Sequence, residues 1–107
     1  MTLSSSQAAS AYAALSQETR LTIVRLLLRA EPTGLSVGEI GQHFELAPAT
    51  LSFHLAGLRD AGLVSSQREG RLIRYRADVQ ALRRISDYLF SECCAGQPAQ
   101  CLDDLAA

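Results

Sequence analysis

Lysine is absent from this chain. All ten basic residues are arginines, and eleven acids bring the net charge to −1. A sum so close to zero excludes no class of partner, so placement is more informative. Seven arginines (Arg59, Arg68, Arg71, Arg74, Arg76, Arg83 and Arg84) lie between residues 59 and 84, opposed there only by Asp60, Glu69 and Asp78. From Ser86 onward come Asp87, Glu92, Asp103 and Asp104 with no base. A basic stretch in an otherwise acidic chain fits either a solvated face or a surface that tracks phosphates.

Long apolar runs are also missing. None approaches the roughly 18–20 residues that a membrane span needs. Met1 to Ser10 is small and polar, without the charged and apolar regions of a secretory leader. A cytoplasmic protein with no membrane partner is the expectation. No cysteine precedes residue 93. The three present, Cys93, Cys94 and Cys101, are an odd number crowded into nine residues, poor material for a disulfide framework in a reducing compartment. No cofactor motif and no neighbouring base accompanies them, so neither an enzyme nor an organic cofactor is expected.

What is present reads as one domain of 107 residues, with 1–6 and 96–107 as loose or ligand-ordered ends. A core this small favours sharing with a second copy. An alanine-rich helix is expected over Gln7–Leu15, followed by a second from an N-cap at Ser16 to about Arg29. Leu21, Ile23, Val24, Leu26, Leu27 and Leu28 are too many apolar positions for a narrow stripe, which places the second helix centrally. Ser36-Val37-Gly38-Glu39 has capping-box spacing and opens a short helix holding Ile40 and Phe44. Pro48 opens the next helix, with Leu51, Leu55 and Leu58 on one face and a stop at Gly62. Two helices joined by about four residues form a helix-turn-helix pattern, though an ordinary αα-hairpin looks similar.

The next segment sharpens it. Val64–Arg68 and Leu72–Ala77 are strand-like around a turn at Glu69-Gly70-Arg71. In the second strand Leu72, Arg74 and Arg76 alternate with Ile73, Tyr75 and Ala77, giving a basic and an apolar face. Asp78 then caps a final amphipathic helix, Val79 to about Cys94, which ends at Gly96 and Pro98. The expected fold is mainly α with a β-hairpin wing, a winged helix-turn-helix in the order α-α-α-α-β-β-α. The first and last helices are the candidate homodimer interface.

Three segments resemble the ArsR/SmtB family of metal-responsive repressors. Leu15-Ser16-Gln17-Glu18-Thr19-Arg20-Leu21 resembles its LADPTRL opening. Ser52-Phe53-His54-Leu55 and Leu58-Arg59-Asp60-Ala61-Gly62-Leu63-Val64 resemble its SxHLxxLRxAGLV recognition helix. Gly70-Arg71 followed by Tyr75 resembles its wing. The likeness runs in order through residues 12 to 90. It implies a homodimer that represses its own operon and leaves double-stranded operator DNA when an inducer binds. In such folds the first half of the recognition helix enters the major groove. That half presents Ala49, Thr50, Ser52, Phe53 and His54. Hydroxyl and imidazole groups suit base edges or phosphates, and Ala49 or Phe53 suits a thymine methyl. Arg71, Arg74 and Arg76 are the candidate wing contacts, against the alternative of cross-strand pairing with Glu69 or another acid.

The family's CVCDL-type metalloid site would fall at Leu35-Ser36-Val37-Gly38-Glu39-Ile40, which has no cysteine. Its zinc site on the last helix needs histidines, but His43 and His54 lie elsewhere, and only Asp87 is in place. Cys93, Cys94 and Cys101 remain. Three thiolates without histidine suit a soft three-coordinate ion such as trivalent arsenic, whereas zinc wants a fourth ligand. Some family members resemble this arrangement, binding arsenite through a C-terminal vicinal pair and a third cysteine. Trivalent antimony and trivalent organoarsenicals share that chemistry. A thiol redox switch or a response to cadmium or zinc is the alternative for the same residues.

Overall fold

The computed structural model describes residues 3–91. Eight elements follow one another: α1 Ser5–Leu15, α2 Glu18–Arg29, β1 Leu35–Ser36, α3 Val37–Gly41, α4 Pro48–Asp60, β2 Val64–Glu69, β3 Leu72–Ala77 and α5 Val79–Phe90. The expected helices and hairpin are there with one short strand added, but α3 ends at Gly41, short of Phe44. α5 is described to Phe90 where a helix to about Cys94 was expected, residues 92–94 of that span lying outside the described residues.

Ser4 caps α1 in a reciprocal box with Gln7, so the helix starts ahead of Gln7. Its buried residues are Ala8, Ala11 and Ala14, a stripe of methyl groups that lets neighbouring backbone approach closely. Ser16 closes α1 through its hydroxyl, which donates to Ala13 O, and the cap of α2 is Gln17 instead, accepting from Arg20 N. Within α2 only Ile23, Val24 and Leu27 are buried, while Leu21 and Leu28 remain exposed. The helix is therefore central along one stripe and uncovered along another.

The short helix α3 carries the expected box between Ser36 and Glu39. Helix α4 packs Leu51, Leu55 and Leu58 inward and ends in a Schellman motif. Leu63 N donates to Leu58 O, Gly62 N donates to Arg59 O, and Gly62 takes φ +77°. Leu58 and Leu63, both fully buried, form the apolar contact that usually seals this motif. With Ile23, Leu27, Ile40 and Leu55 they make up the deepest part of the core.

β2 and β3 pair from Val64↔Ala77 to Glu69↔Leu72 around a two-residue loop, Gly70-Arg71. β1 adds to the other side of β3 through Leu35↔Tyr75 and Ser36↔Arg74, giving the order β1-β3-β2. This contact requires Gly34, at φ +77°, because a Cβ there would collide with Tyr75 O. The apolar face expected of β3 is real only at its root. Tyr75 and Ala77 are buried, but Ile73 is exposed near the hairpin tip, as is Leu72 on the opposite face. Asp78 caps α5 through Ala81 N. Tyr12 O–H donates to Ile85 O, and Ser5 Oγ bonds Tyr88 OH, tying α1 to α5. Ile85 alone is buried on α5, while Val79 and Leu89 are exposed.

Candidate nucleic-acid interface

The leucines that anchor α4 fix what the helix can show. With Leu51, Leu55 and Leu58 turned inward, Ala49, Thr50, Ser52 and Phe53 all fall on the exposed side. Phe53 is 66 % exposed, an unusual position for a ring unless something stacks on it. The cap residue is Ala47, and no side chain caps the helix. Its first amides therefore keep their capacity to donate outward.

His54 is half-buried instead of freely presented. Arg20, from the first turn of α2, donates its Nε–H to His54 Nδ1 at 3.1 Å. The same guanidinium lies 5.3 Å from the centroid of the Phe53 ring, within cation–π range. The Phe53 and His54 rings meet edge-on at 5.8 Å. Gly57 completes the cradle, since a Cβ there would come to 2.6 Å from Arg20 Cζ and both terminal nitrogens. Burial, and then the charge of Arg20, push the His54 imidazole below its ordinary pKa.

The arginines of the hairpin divide into two groups. Arg74 Nε donates to Glu69 Oε2 at 3.1 Å, its Nη1 donates to Gly34 O at 3.4 Å, and the same nitrogen is 3.8 Å from Glu39 Oε1. Arg76 grips Glu31 with two nitrogens, at 2.9 and 3.4 Å, and that carboxylate holds the guanidinium more firmly charged. Two of the three nominated wing residues, Arg74 and Arg76, are thus paired with carboxylates. Arg71, at the loop, is exposed, and so is Arg68, whose Nε donates only to Gly70 O at 3.4 Å. Among the described residues neither makes an ion pair. The tip of the wing, more than its root, carries the uncommitted positive charge. Arg68 was not among the wing candidates, although its place beside the turn at Gly70 could have suggested it. Arg20 was not singled out either, and no spacing rule links it to His54, 34 residues away.

Cys93, Cys94 and Cys101 lie outside the described residues. Among the described residues no three histidine, cysteine or carboxylate side chains gather as a metal site. Nor is any described helix long and apolar enough to cross a membrane.

A recognition-type helix with a charged hairpin beside it defines a winged helix-turn-helix, the architecture of a DNA-binding regulator. A family model described as a helix-turn-helix domain matches residues 15–67. The chain is 44% identical over 62 residues to the transcriptional activator HlyU of Vibrio cholerae, a match covering 58% of this chain and 55% of that protein. It is 32% identical over 93 residues to a probable mercury resistance operon repressor of Streptomyces lividans, covering 86% and 70%. An ArsR-like transcriptional regulator from a Rhodococcus species, a solved structure, superposes with a TM-score of 0.72 at 33% identity, covering 94% and 88%. The matched stretch thus spans little more than half of the Vibrio protein's length. The chain belongs to the ArsR/SmtB family of transcriptional regulators. Its relatives are regulators and not enzymes.

Proposed function

We propose that this chain is a repressor that binds operator DNA as a homodimer and is released when Cys93, Cys94 and Cys101 take up trivalent arsenic. The observation that carries the DNA half is the exposed row Ala49, Thr50, Ser52 and Phe53 on α4, flanked by the free arginines of the hairpin tip. In this reading α4 lies in the major groove, and Arg68 and Arg71 meet the phosphates or the minor groove beside it. Arg74 and Arg76 hold the hairpin in place for that contact. The uncovered stripes on α2 and α5, Leu21, Leu28, Val79 and Leu89, support pairing with a second copy. Two recognition helices about 34 Å apart would then read inverted half-sites one helical turn apart.

The inducer half rests on donor chemistry. Three thiolates within nine residues, with no histidine among them, suit a soft three-coordinate ion. The Streptomyces relative is named for mercury resistance, which supports a thiophilic inducer. Moving a bound population from 99:1 to 1:99 requires a differential affinity of about 5.5 kcal/mol, within reach of a thiolate cluster.

The test is fluorescence anisotropy with a labelled duplex from the chain's own promoter region. Reduced protein is titrated separately with arsenite, zinc and a mild oxidant. Release at one arsenite per subunit, lost in the Cys93→Ser, Cys94→Ser, Cys101→Ser triple variant, is the expected result. Release by oxidant alone would make the same cysteines a redox switch. Arsenite release that survives in the triple variant would overturn the site.

A further inference from the structure

We infer that Arg20 is a positioning residue for base recognition: held against Gly57, it fixes His54 as a pure hydrogen-bond donor, so that the base facing His54 must offer an acceptor. The inference rests on the reading of α4 as the helix in the major groove.

The chemistry follows from what each group can do. A guanidinium has donors and no acceptor. The imidazole nitrogen that Arg20 Nε approaches at 3.1 Å must therefore carry a lone pair. That makes His54 neutral and puts its single proton on Nε2, the nitrogen turned away from Arg20. A free surface histidine samples both tautomers and, when protonated, donates from both nitrogens. His54 has one of these options left. Facing a base edge, Nε2–H matches guanine O6 or N7, adenine N7 or thymine O4, and it opposes the N4 amine of cytosine.

The same guanidinium also sets the neighbouring ring. It sits 5.3 Å from the Phe53 centroid, and Phe53 meets His54 edge-on. One side chain from α2 thus governs two consecutive residues on the exposed face of α4. Gly57 is the only residue type that leaves room for it, since a Cβ would come to 2.6 Å from three guanidinium atoms. A glycine inside a 13-residue helix weakens that helix, so its presence calls for a reason of this kind.

Two measurements test this. The first needs no DNA: long-range nitrogen–proton correlation spectra of the full chain at neutral pH report the tautomer of His54. The expected result is the Nε2–H form in the wild type, a tautomer mixture in Arg20→Met, and recovery of the Nε2–H form in Arg20→Lys, which keeps a charged donor. A tautomer mixture or an Nδ1–H form in the wild type would overturn the proposal. The second is a series of operator duplexes, each carrying one base-pair substitution. Wild-type protein should reject cytosine at one position per half-site by about five- to tenfold, the low end of what one mismatch costs. Arg20→Met and His54→Gln should both lose that discrimination at the same position and keep it elsewhere. Discrimination unchanged in both variants would overturn the base-reading role even with the tautomer as expected. If Thr50→Ala and Ser52→Ala leave operator affinity unchanged, α4 is not the reading helix. In that case the interface reading itself fails, a result distinct from either of the others.

Discussion

Gly57→Ala separates what holds the fold from what aims it. The added methyl would lie 2.6 Å from Arg20 Cζ, Nη1 and Nη2. Ordinary carbon contacts are about 3.5–4.0 Å, so the guanidinium has to retreat by about 1 Å or more. All three obstructing atoms are the far end of a flexible side chain, and the retreat is therefore inexpensive. The Arg20–His54 hydrogen bond, 3.1 Å at present, does not survive such a displacement. The losses are that bond, worth about 1 kcal/mol, and the contact with the Phe53 face, worth about 0.5–1 kcal/mol at an exposed site. The gain is replacement of glycine by alanine within a helix, about 1 kcal/mol. The two sides nearly cancel. Stability is expected to stay within about 1 kcal/mol of wild type, a Tm change of no more than roughly 4–8 °C. Thermal melts at fixed protomer concentration, followed by circular dichroism, give the first number, and the His54 tautomer gives the second. The expected outcome is a near-normal melt with a tautomer mixture at His54. A loss of several kcal/mol would refute the reasoning, because it would mean that Arg20 cannot yield. So would a normal melt with the His54 tautomer untouched.

Four further outcomes are expected. Gly34→Ala combines a left-handed backbone, costing about 1–2 kcal/mol, with a collision against Tyr75 O, and urea titration should show a total loss of about 2–4 kcal/mol. Removing Arg68 or Arg71 should lower the slope of log affinity against log salt by about one each. Arg74→Ala and Arg76→Ala should instead loosen the hairpin, read as faster amide exchange along β3. The depressed pKa of His54 sets a direction for pH dependence. The folded state favours the neutral ring, so this contribution to stability is fully present above about pH 6.5, the ordinary value, and is lost as pH falls through the lower folded-state value. His54→Gln should therefore flatten the acid limb of the stability profile.

Much of this architecture is legible in the chain because it is written locally. The leucines of α4 recur at helical spacing, the Ser36–Glu39 box spans four residues, and the hairpin announces itself through Gly70 between two alternating runs. The features that escaped are those in which distant residues meet. Ser16 and Gln17 compete as caps, and only the close of α1 decides that Ser16 serves the helix before it. Alternation identified an apolar side to β3 without revealing that Ile73 is left exposed. The partners of Arg76 and Arg20 are Glu31 and His54, 45 and 34 residues away along the chain. Such pairings arise from how helices cross, and no period in the sequence encodes them.

Because β1 pairs with β3 while Arg74 bonds Gly34 O and approaches Glu39, and Arg76 grips Glu31, the hairpin is tied to the helices beneath it. Lifting it would strip a backbone ladder and two ion pairs in one motion. The helix-turn-helix and the hairpin therefore travel together as a single lever arm. An allosteric signal reaching such an arm changes its tilt and not its shape. In the dimer proposed above, the operator would then sense the pitch between two stiff arms, a quantity set where the two copies join and far from any base.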